Sequence, residues 1–154
     1  DVEEPMGNMI IDIGGGTSEI AVIALGGIVC DKSIRVAGDD FTSDIEEYMR
    51  RQHNILIGER TAEQIKIEVG AAIDTLENPP QDYAVRGRDL MTGIPKEIYV
   101  SFKEIAHALD KSISKPLLSL NSPFPSEIKL KSENFKESPH DFIMKGSFVE
   151  TTYI

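Results

Sequence analysis

The sequence predicts an α/β fold, because short apolar runs of strand length are followed by segments with the periodicity of amphipathic helices. Three apolar runs, residues 9–13, 20–25 and 28–36, have the length and composition of strands. The Gly26-Gly27 pair between the second and third runs favours a hairpin turn, because adjacent glycines accept the positive φ that such turns need. We therefore expect an antiparallel meander of three strands in the first part of the chain.

Three amphipathic helices are predicted after the meander. The first opens at residues 38–39, and the second is expected from about Thr61, whose hydroxyl can cap the helix while Gln64 completes a capping box. Ser101 and Glu104 have the same spacing and predict the start of the third helix. The positions that would face the core are Phe41, Ile45, Tyr48 and Met49 in the first helix, Ala62, Ile65, Val69, Ala72 and Ile73 in the second, and Phe102, Ile105, Ala106, Leu109 and Ile113 in the third.

The region between the second and third helices predicts a β-hairpin, and the composition changes after the third helix. Residues 82–90 and 94–100 have the pattern of two strands joined across a Thr-Gly turn. Pro116 directly follows a helical run and predicts its end. Residues 116–154 hold four of the eight prolines and little periodic apolar pattern, so we expect this tail to be poorly ordered.

Composition excludes several classes of partner and site. The 154 residues carry a net charge of −10, which disfavours nucleic acid and anionic membrane as partners of the surface as a whole. The single cysteine, Cys30, excludes an internal disulfide and a cysteine-rich zinc site. No apolar run reaches the roughly 18 residues that a membrane span needs. Because the chain begins at Asp1 with a strand close behind it, we expect it to be a piece of a longer protein.

The most informative segment is the glycine turn, residues 14–17, which lies between two predicted strands. A Rossmann fingerprint would need a third glycine where Glu19 stands, and a P-loop would need a lysine that is absent. Small residues leave backbone N–H groups free to converge on an anion such as phosphate, in a shape that we expect the local hairpin to set. Asp12, at the end of the preceding strand, could hold Mg²⁺ through water. The alternative is an ordinary β-hairpin turn with no ligand.

Residues 12–19, of sequence DIGGGTSE, resemble the second phosphate loop of the actin, Hsp70 and sugar-kinase superfamily. This loop alone does not select one family, but several later segments closely resemble the bacterial actin family MreB. The resemblance covers about residues 1–115 and corresponds to part of the second half of that family's fold. The segments that carry it are GGIV at 26–29, SIRVAGD at 33–39, YMRR at 48–51, ILIGERTAEQIK at 55–66, VRGRDL at 85–90 and GIP at 93–95.

The resemblance implies an actin-like ATPase fold of the ribonuclease H-like type, with a mixed sheet, that binds ATP and Mg²⁺. It implies that Gly14, Gly15, Gly16 and Thr17 hold the β- and γ-phosphates, with Thr17 near the attacking water. Asp12 would face the hydrated Mg²⁺. The adenosine would be flanked by Glu63, Gln64, Ile65 and Lys66. Without the resemblance, Glu63 and Lys66 would be interpreted as an exposed i,i+3 ion pair.

The same resemblance divides the chain into four parts. An actin-like core with the phosphate loop would occupy residues 1–54, a small helix-plus-hairpin subdomain residues 55–100, and a helix returning to the core residues 101–115. Residues 116–154 would form the divergent tail. The family's first phosphate loop and its water-orienting acid would lie upstream of this chain, so we expect the chain alone to be inactive in ATP hydrolysis.

Two classes of function follow. The first is an ATP-binding subunit of a cytoskeletal filament that determines rod shape by guiding cell-wall synthesis, located in the cytoplasm and associated with the membrane as in the family. Its implied partners are other copies of itself, a membrane adaptor of the RodZ type and the cell-wall synthesis machinery, without nucleic acid and without a direct membrane element in this chain. The second is a non-catalytic fragment that acts only as an interaction module. A piece of an Hsp70-type chaperone is a third interpretation, which residues 55–66 disfavour.

Overall fold

The computed structural model describes the backbone of residues 7–24, 26–119 and 149–153, and the side-chain environments of residues 10–23 and 26–114. The chain enters through three consecutive strands: β1 (Gly7–Ile13), β2 (Ser18–Ala24) and β3 (Gly27–Ile34). Each pairs antiparallel with the next, because the turns between them are too short for a crossover. The predicted meander is confirmed.

Helix α1 (Gly38–His53) follows, and then the short strand β4 (Ile55–Leu56) and helix α2 (Glu59–Val69). The α1 helix begins where expected, and Asp40 in its first turn accepts a hydrogen bond from the N–H of Ala37 at 3.0 Å. Asn54 ends the helix in the left-handed region at φ 53°, a conformation that asparagine tolerates better than most residues.

The predicted hairpin is formed by β5 (Tyr83–Asp89) and β6 (Pro95–Val100), and β4 pairs with the outer edge of β5. Helix α3 (Phe102–Ser119) comes next. Its predicted capping box is confirmed, because Glu104 accepts from the N–H of Ser101 at 2.9 Å and the Ser101 hydroxyl accepts from the N–H of Glu104 at 3.4 Å. The hairpin and α2 thus form the expected small helix-plus-hairpin unit.

Strand β7 (Val149–Tyr153) pairs antiparallel with the free edge of β1, which makes a four-stranded sheet of order β3-β2-β1-β7. The expectation of a poorly ordered tail is therefore wrong for these residues, whose backbone groups satisfy an otherwise open strand edge. Residues 120–148, also part of that expectation, lie outside the described residues. Within the described ranges every strand pair is antiparallel, so the mixed sheet implied by the resemblance is not observed there.

One hydrophobic cluster joins the inner face of the four-stranded sheet, the three helices and the small sheet. Most of the predicted helix positions lie in it, including Phe41 at 1% exposure and Leu109 at 0%. The buried members of the predicted faces are Phe41, Ile45, Met49, Ala62, Ile65, Val69, Phe102, Ile105, Ala106, Leu109 and Ile113.

Three helix boundaries differ from the prediction. Helix α2 begins two residues before Thr61, because the carbonyl of Gly58 already accepts the N–H groups of Thr61 and Ala62. It ends at Val69 with Gly70 in an extended conformation, so Ile73 lies beyond the helix and is exposed. Helix α3 continues through Pro116 to Ser119, so the end that this proline predicts is wrong.

Candidate functional site

The glycine turn is a four-residue loop that connects β1 to β2. The last strand pair is Ile13 with Ser18, and the N–H of Gly14 donates to the carbonyl of Thr17 at 2.9 Å. All four residues of the turn are exposed. The turn thus presents backbone to solvent at one end of the sheet.

The first turn of α1 lies directly against the glycine turn. The N–H of Gly38 donates to the carbonyl of Gly14 at 3.0 Å, and the N–H of Asp39 donates to the carbonyl of Gly15 at 2.8 Å. We expected the local hairpin to set the shape of the turn, and two contacts from more than twenty residues away in the same chain also hold its carbonyls. These contacts direct the carbonyls towards α1.

Three N–H groups of the turn remain available. Within the described part of the chain, the amides of Gly15, Gly16 and Thr17 donate to no protein acceptor. Successive free N–H groups in a turn form a concave anion site, and the lack of side chains lets an anion approach closely. The geometry of the turn thus fits a phosphate group.

Two exposed carboxylates lie beside this turn. A Cβ placed on Gly15 would lie 3.2 Å from Oδ1 of Asp39, so the Asp39 carboxylate is against the turn. Asp12 stands in register with Glu19 and shares with it an open depression on the outer face of the sheet. No group of three or more His, Cys, Asp or Glu residues able to hold a metal is found in the described ranges. A divalent cation would therefore need water and phosphate oxygens as further ligands.

Lys66 of α2 is buried at 8% exposure beside the turn. Its Nζ donates to the carbonyl of Gly38 at 3.1 Å and to Oγ1 of Thr42 at 2.9 Å. Among the described side chains no carboxylate lies within 4.0 Å of Nζ, so the exposed ion pair with Glu63 is not formed. The interpretation from helix spacing is wrong because α2 packs on α1, and this packing turns Lys66 inwards.

The other predicted ligand residues on α2 differ in exposure. Glu63 and Gln64 are exposed, whereas the side chain of Ile65 is fully buried in the core and leaves only its backbone for a ligand. The structure thus brings together the glycine turn, the start of α1 and Lys66. Gly38, Asp39 and Thr42 were not predicted as residues of the site, and the glycine-acid pair that opens α1 was the one local signal that could have indicated them.

The fold and this site define the class of protein. The structure is similar to the crystal structure of MreB5 of Spiroplasma citri bound to ADP, with a TM-score of 0.72 and 40% identity, covering 82% of this chain and 39% of that one. A structure of the MamK non-polymerising A278D mutant bound to AMPPNP has a TM-score of 0.55 at 20% identity, which shows likeness of fold alone. The chain therefore has an actin-like fold, as predicted.

The sequence comparisons identify the family within that class. The MreB/Mbl protein family matches residues 1–122. The chain is 45% identical over 114 residues to the cell shape-determining protein Mbl of Bacillus subtilis (strain 168), covering 74% of this chain and 34% of Mbl. It is 44% identical over 113 residues to the cell shape-determining protein MreB of Escherichia coli (strain K12), covering 73% and 32%. The chain belongs to the MreB/Mbl family, which confirms the resemblance, and it spans about a third of the length of these relatives.

In the part of the chain that the structure describes, no helix is long and apolar enough to cross a membrane.

Proposed function

We propose that this chain supplies the second phosphate-binding turn and part of the adenosine side of an ATP-dependent, filament-forming cell-shape protein. The observation that carries the proposal is the glycine turn, which among the described residues has three N–H groups without a protein acceptor, next to a buried lysine that has no described carboxylate within 4.0 Å. An anion in the turn would accept these hydrogen bonds and lower the cost of the buried charge.

The ligand is proposed to be ATP with Mg²⁺. Two solved structures of MreB5 that the chain resembles are bound to ADP and to AMPPNP, which are ligands of that protein. The carboxylates of Asp12 and Asp39 beside the turn would repel a bare polyphosphate, so a divalent cation should be required for binding. We propose that Asp12 orients this cation through water and that Thr17 lies near the attacking water in the complete protein.

The cellular role is proposed on the basis of family membership. We propose that the complete protein assembles into filaments in the cytoplasm, beside the membrane, and guides cell-wall synthesis together with a membrane adaptor. The support is the similarity to curated relatives that are named as cell shape-determining proteins. Residues 1–54, 55–100 and 101–115 are proposed as core, small subdomain and returning helix of this assembly unit.

A role as an interaction module is the second candidate, and one observation favours it. The tip of the β5–β6 hairpin exposes three large apolar side chains, Leu90 at 44%, Met91 at 80% and Ile94 at 62%. Apolar residues grouped at an exposed tip are typical of a contact surface. This surface requires no nucleotide, so the two candidates differ in whether the chain binds polyphosphate.

The test is a titration of the 154-residue chain with Mg-ATP and with Mg-tripolyphosphate, followed by NMR at the amides of Gly15 and Gly16. We expect both ligands to bind with similar dissociation constants on the order of millimolar, about 4 kcal/mol, because the turn contributes most of the contacts. Gly15→Val should weaken both equally, because its side chain would lie against Asp39 where the phosphate approaches. Gly27→Val is the control, since a Cβ at Gly27 has no atom within 4 Å.

Each outcome decides between the candidates. Amide shifts with both ligands that Gly15→Val removes and Gly27→Val keeps would support the phosphate site. ATP binding much tighter than tripolyphosphate binding would mean that the adenosine pocket is more complete than proposed. No shift with either ligand would contradict the phosphate site and favour the interaction module.

A further inference from the structure

Lys66 is the only charged residue among the described residues that is buried. The first turn of α1 supplies the acceptors for two of the three hydrogen bonds that an ammonium group can donate: Gly38 O at 3.1 Å and Thr42 Oγ1 at 2.9 Å. Thr42 in turn donates to Gly38 O at 3.0 Å. The side chain of Lys66 is therefore engaged with the backbone that begins α1.

The same backbone holds the glycine turn. The N–H of Gly38 donates to the carbonyl of Gly14, so a continuous chain of hydrogen bonds runs from Lys66 through Gly38 to the turn. A Cβ placed on Gly38 would lie 3.6 Å from Nζ of Lys66, 3.3 Å from Gly14 O and 3.7 Å from Gly15 Cα. Nζ of Lys66 and the carbonyl oxygen of Gly14 both lie close to this one Cβ position. The two atoms are therefore no more than about 7 Å apart.

The charge of Lys66 has no described carboxylate to neutralise it, and an unpaired buried charge is costly. In a partly solvated site, one positive charge beside the turn favours an anion bound there. The Asp39 carboxylate also lies beside the turn but forms no ion pair with Nζ within 4.0 Å, and a phosphate bound in the turn would bring further negative charge near Lys66. The hydrogen bonds of Lys66 and its positive charge therefore both affect the part of the site that would bind phosphate.

We propose that Lys66 is a positioning residue for phosphate: it holds the start of α1, and through it the glycine turn, and its charge favours the anion bound there. This role differs from contact with adenosine, which the resemblance implies for the helix segment that contains it. The inference rests on the proposed phosphate site, and it makes a separate prediction for the ligand-free protein.

The experiment compares Lys66→Met with Lys111→Met, an exposed lysine on α3 that controls for the loss of one positive charge. Affinities for Mg-tripolyphosphate and Mg-ATP are measured on the full 154-residue chain by NMR titration. We expect Lys66→Met to weaken both ligands by the same factor, about tenfold, and Lys111→Met to change neither noticeably. Without ligand, Lys66→Met should shift the amide resonances of Gly14, Gly15 and Gly38.

Thr42→Val is the second variant, because it keeps the buried charge and removes the hydroxyl that bridges Lys66 and Gly38. It should shift the same amide resonances even if Lys66→Met does not fold. Weaker ATP binding by Lys66→Met with unchanged tripolyphosphate binding would overturn the proposal in favour of adenosine contact. If the wild-type chain binds neither ligand, the phosphate site fails, and unchanged amide resonances in Thr42→Val and Lys66→Met would independently overturn the positioning role.

Discussion

Gly87 lies within β5, and its lack of a side chain lets the paired strand β4 approach closely. A Cβ at this position would lie 2.5 Å from the carbonyl oxygen of Leu56, 2.8 Å from Cγ1 of Ile55 and 3.0 Å from Cγ2 of Ile57. Side-chain rotation cannot relieve the first of these contacts, because Leu56 O belongs to the backbone of the paired strand. Gly87→Ala should therefore separate β4 from β5.

The expected change in the free energy of unfolding of Gly87→Ala is the balance of two opposing effects. Replacing glycine by alanine stabilises a compatible position by about 0.4–1 kcal/mol through the unfolded chain. Forcing a methyl group into a filled space costs about 1–3 kcal/mol, and the backbone contact places Gly87 near the upper end. We expect a net loss of about 2 kcal/mol, which lowers the Tm of a domain of this size by roughly 4–8 °C.

The assay is thermal and urea unfolding of Gly87→Ala beside Gly27→Ala, followed by circular dichroism. Gly27 begins β3 at a normal φ with no atom within 4 Å of a Cβ, so its alanine variant should be neutral or slightly more stable. The two substitutions thus have opposite expected signs. Equal stability of both variants would refute the close approach of β4 at Gly87.

Three further predictions concern catalysis, acid stability and the core. The chain alone should not hydrolyse Mg-ATP in a phosphate-release assay, because phosphoryl transfer needs several positioned groups and the sequence offers one recognisable phosphate turn. ATP turnover that Asp12→Ala abolishes would contradict this expectation. The pKa of Asp89 is held below its ordinary value by the N–H groups of Thr92 and Met91 and by the ammonium of Lys96. The stability that these contacts add to the folded state should therefore be present at a pH above the ordinary pKa and lost as the pH falls through the lowered pKa. Asp89→Asn should therefore flatten the fall of the urea midpoint below about pH 4, and a profile like that of the wild type would count against the contact. Phe41→Ala should lower the free energy of unfolding by about 3–5 kcal/mol in urea titrations, whereas Tyr99→Ala, at an exposed position, should change it by less than about 0.5 kcal/mol.

The elements that the sequence predicted well are those whose determinants are local. The strands of the meander follow from short apolar runs and glycine turns, and the start of α3 follows from the Ser101 and Glu104 pair. The ends of α2 were predicted less well. Thr61 and Gln64 had the spacing of a capping box, but Gly58 occupies the N-cap position without a side-chain cap, and its carbonyl accepts the first helical N–H groups.

The residues of the candidate site also differ in whether the local sequence identifies them. Residues 14–17 were identified from the chain because glycines after a buried strand are a local signal, and family resemblance pointed to the segment that contains Lys66. The partners of these residues were not identifiable in advance. Contacts of Gly38 and Asp39 with the turn, and of Lys66 with Thr42, join residues that are 24 or more positions apart.

The class of fold, the order of the first strands and helices and the position of the glycine turn could be inferred from the amino-acid sequence, because periodicity and turn chemistry act over a few neighbouring residues. Three features are visible in the folded protein and not in the sequence: α1 holds the turn, Lys66 is buried rather than paired with Glu63, and β4 lies close against Gly87. These features depend on how helices and strands pack in three dimensions, and packing is a property of distant segments together.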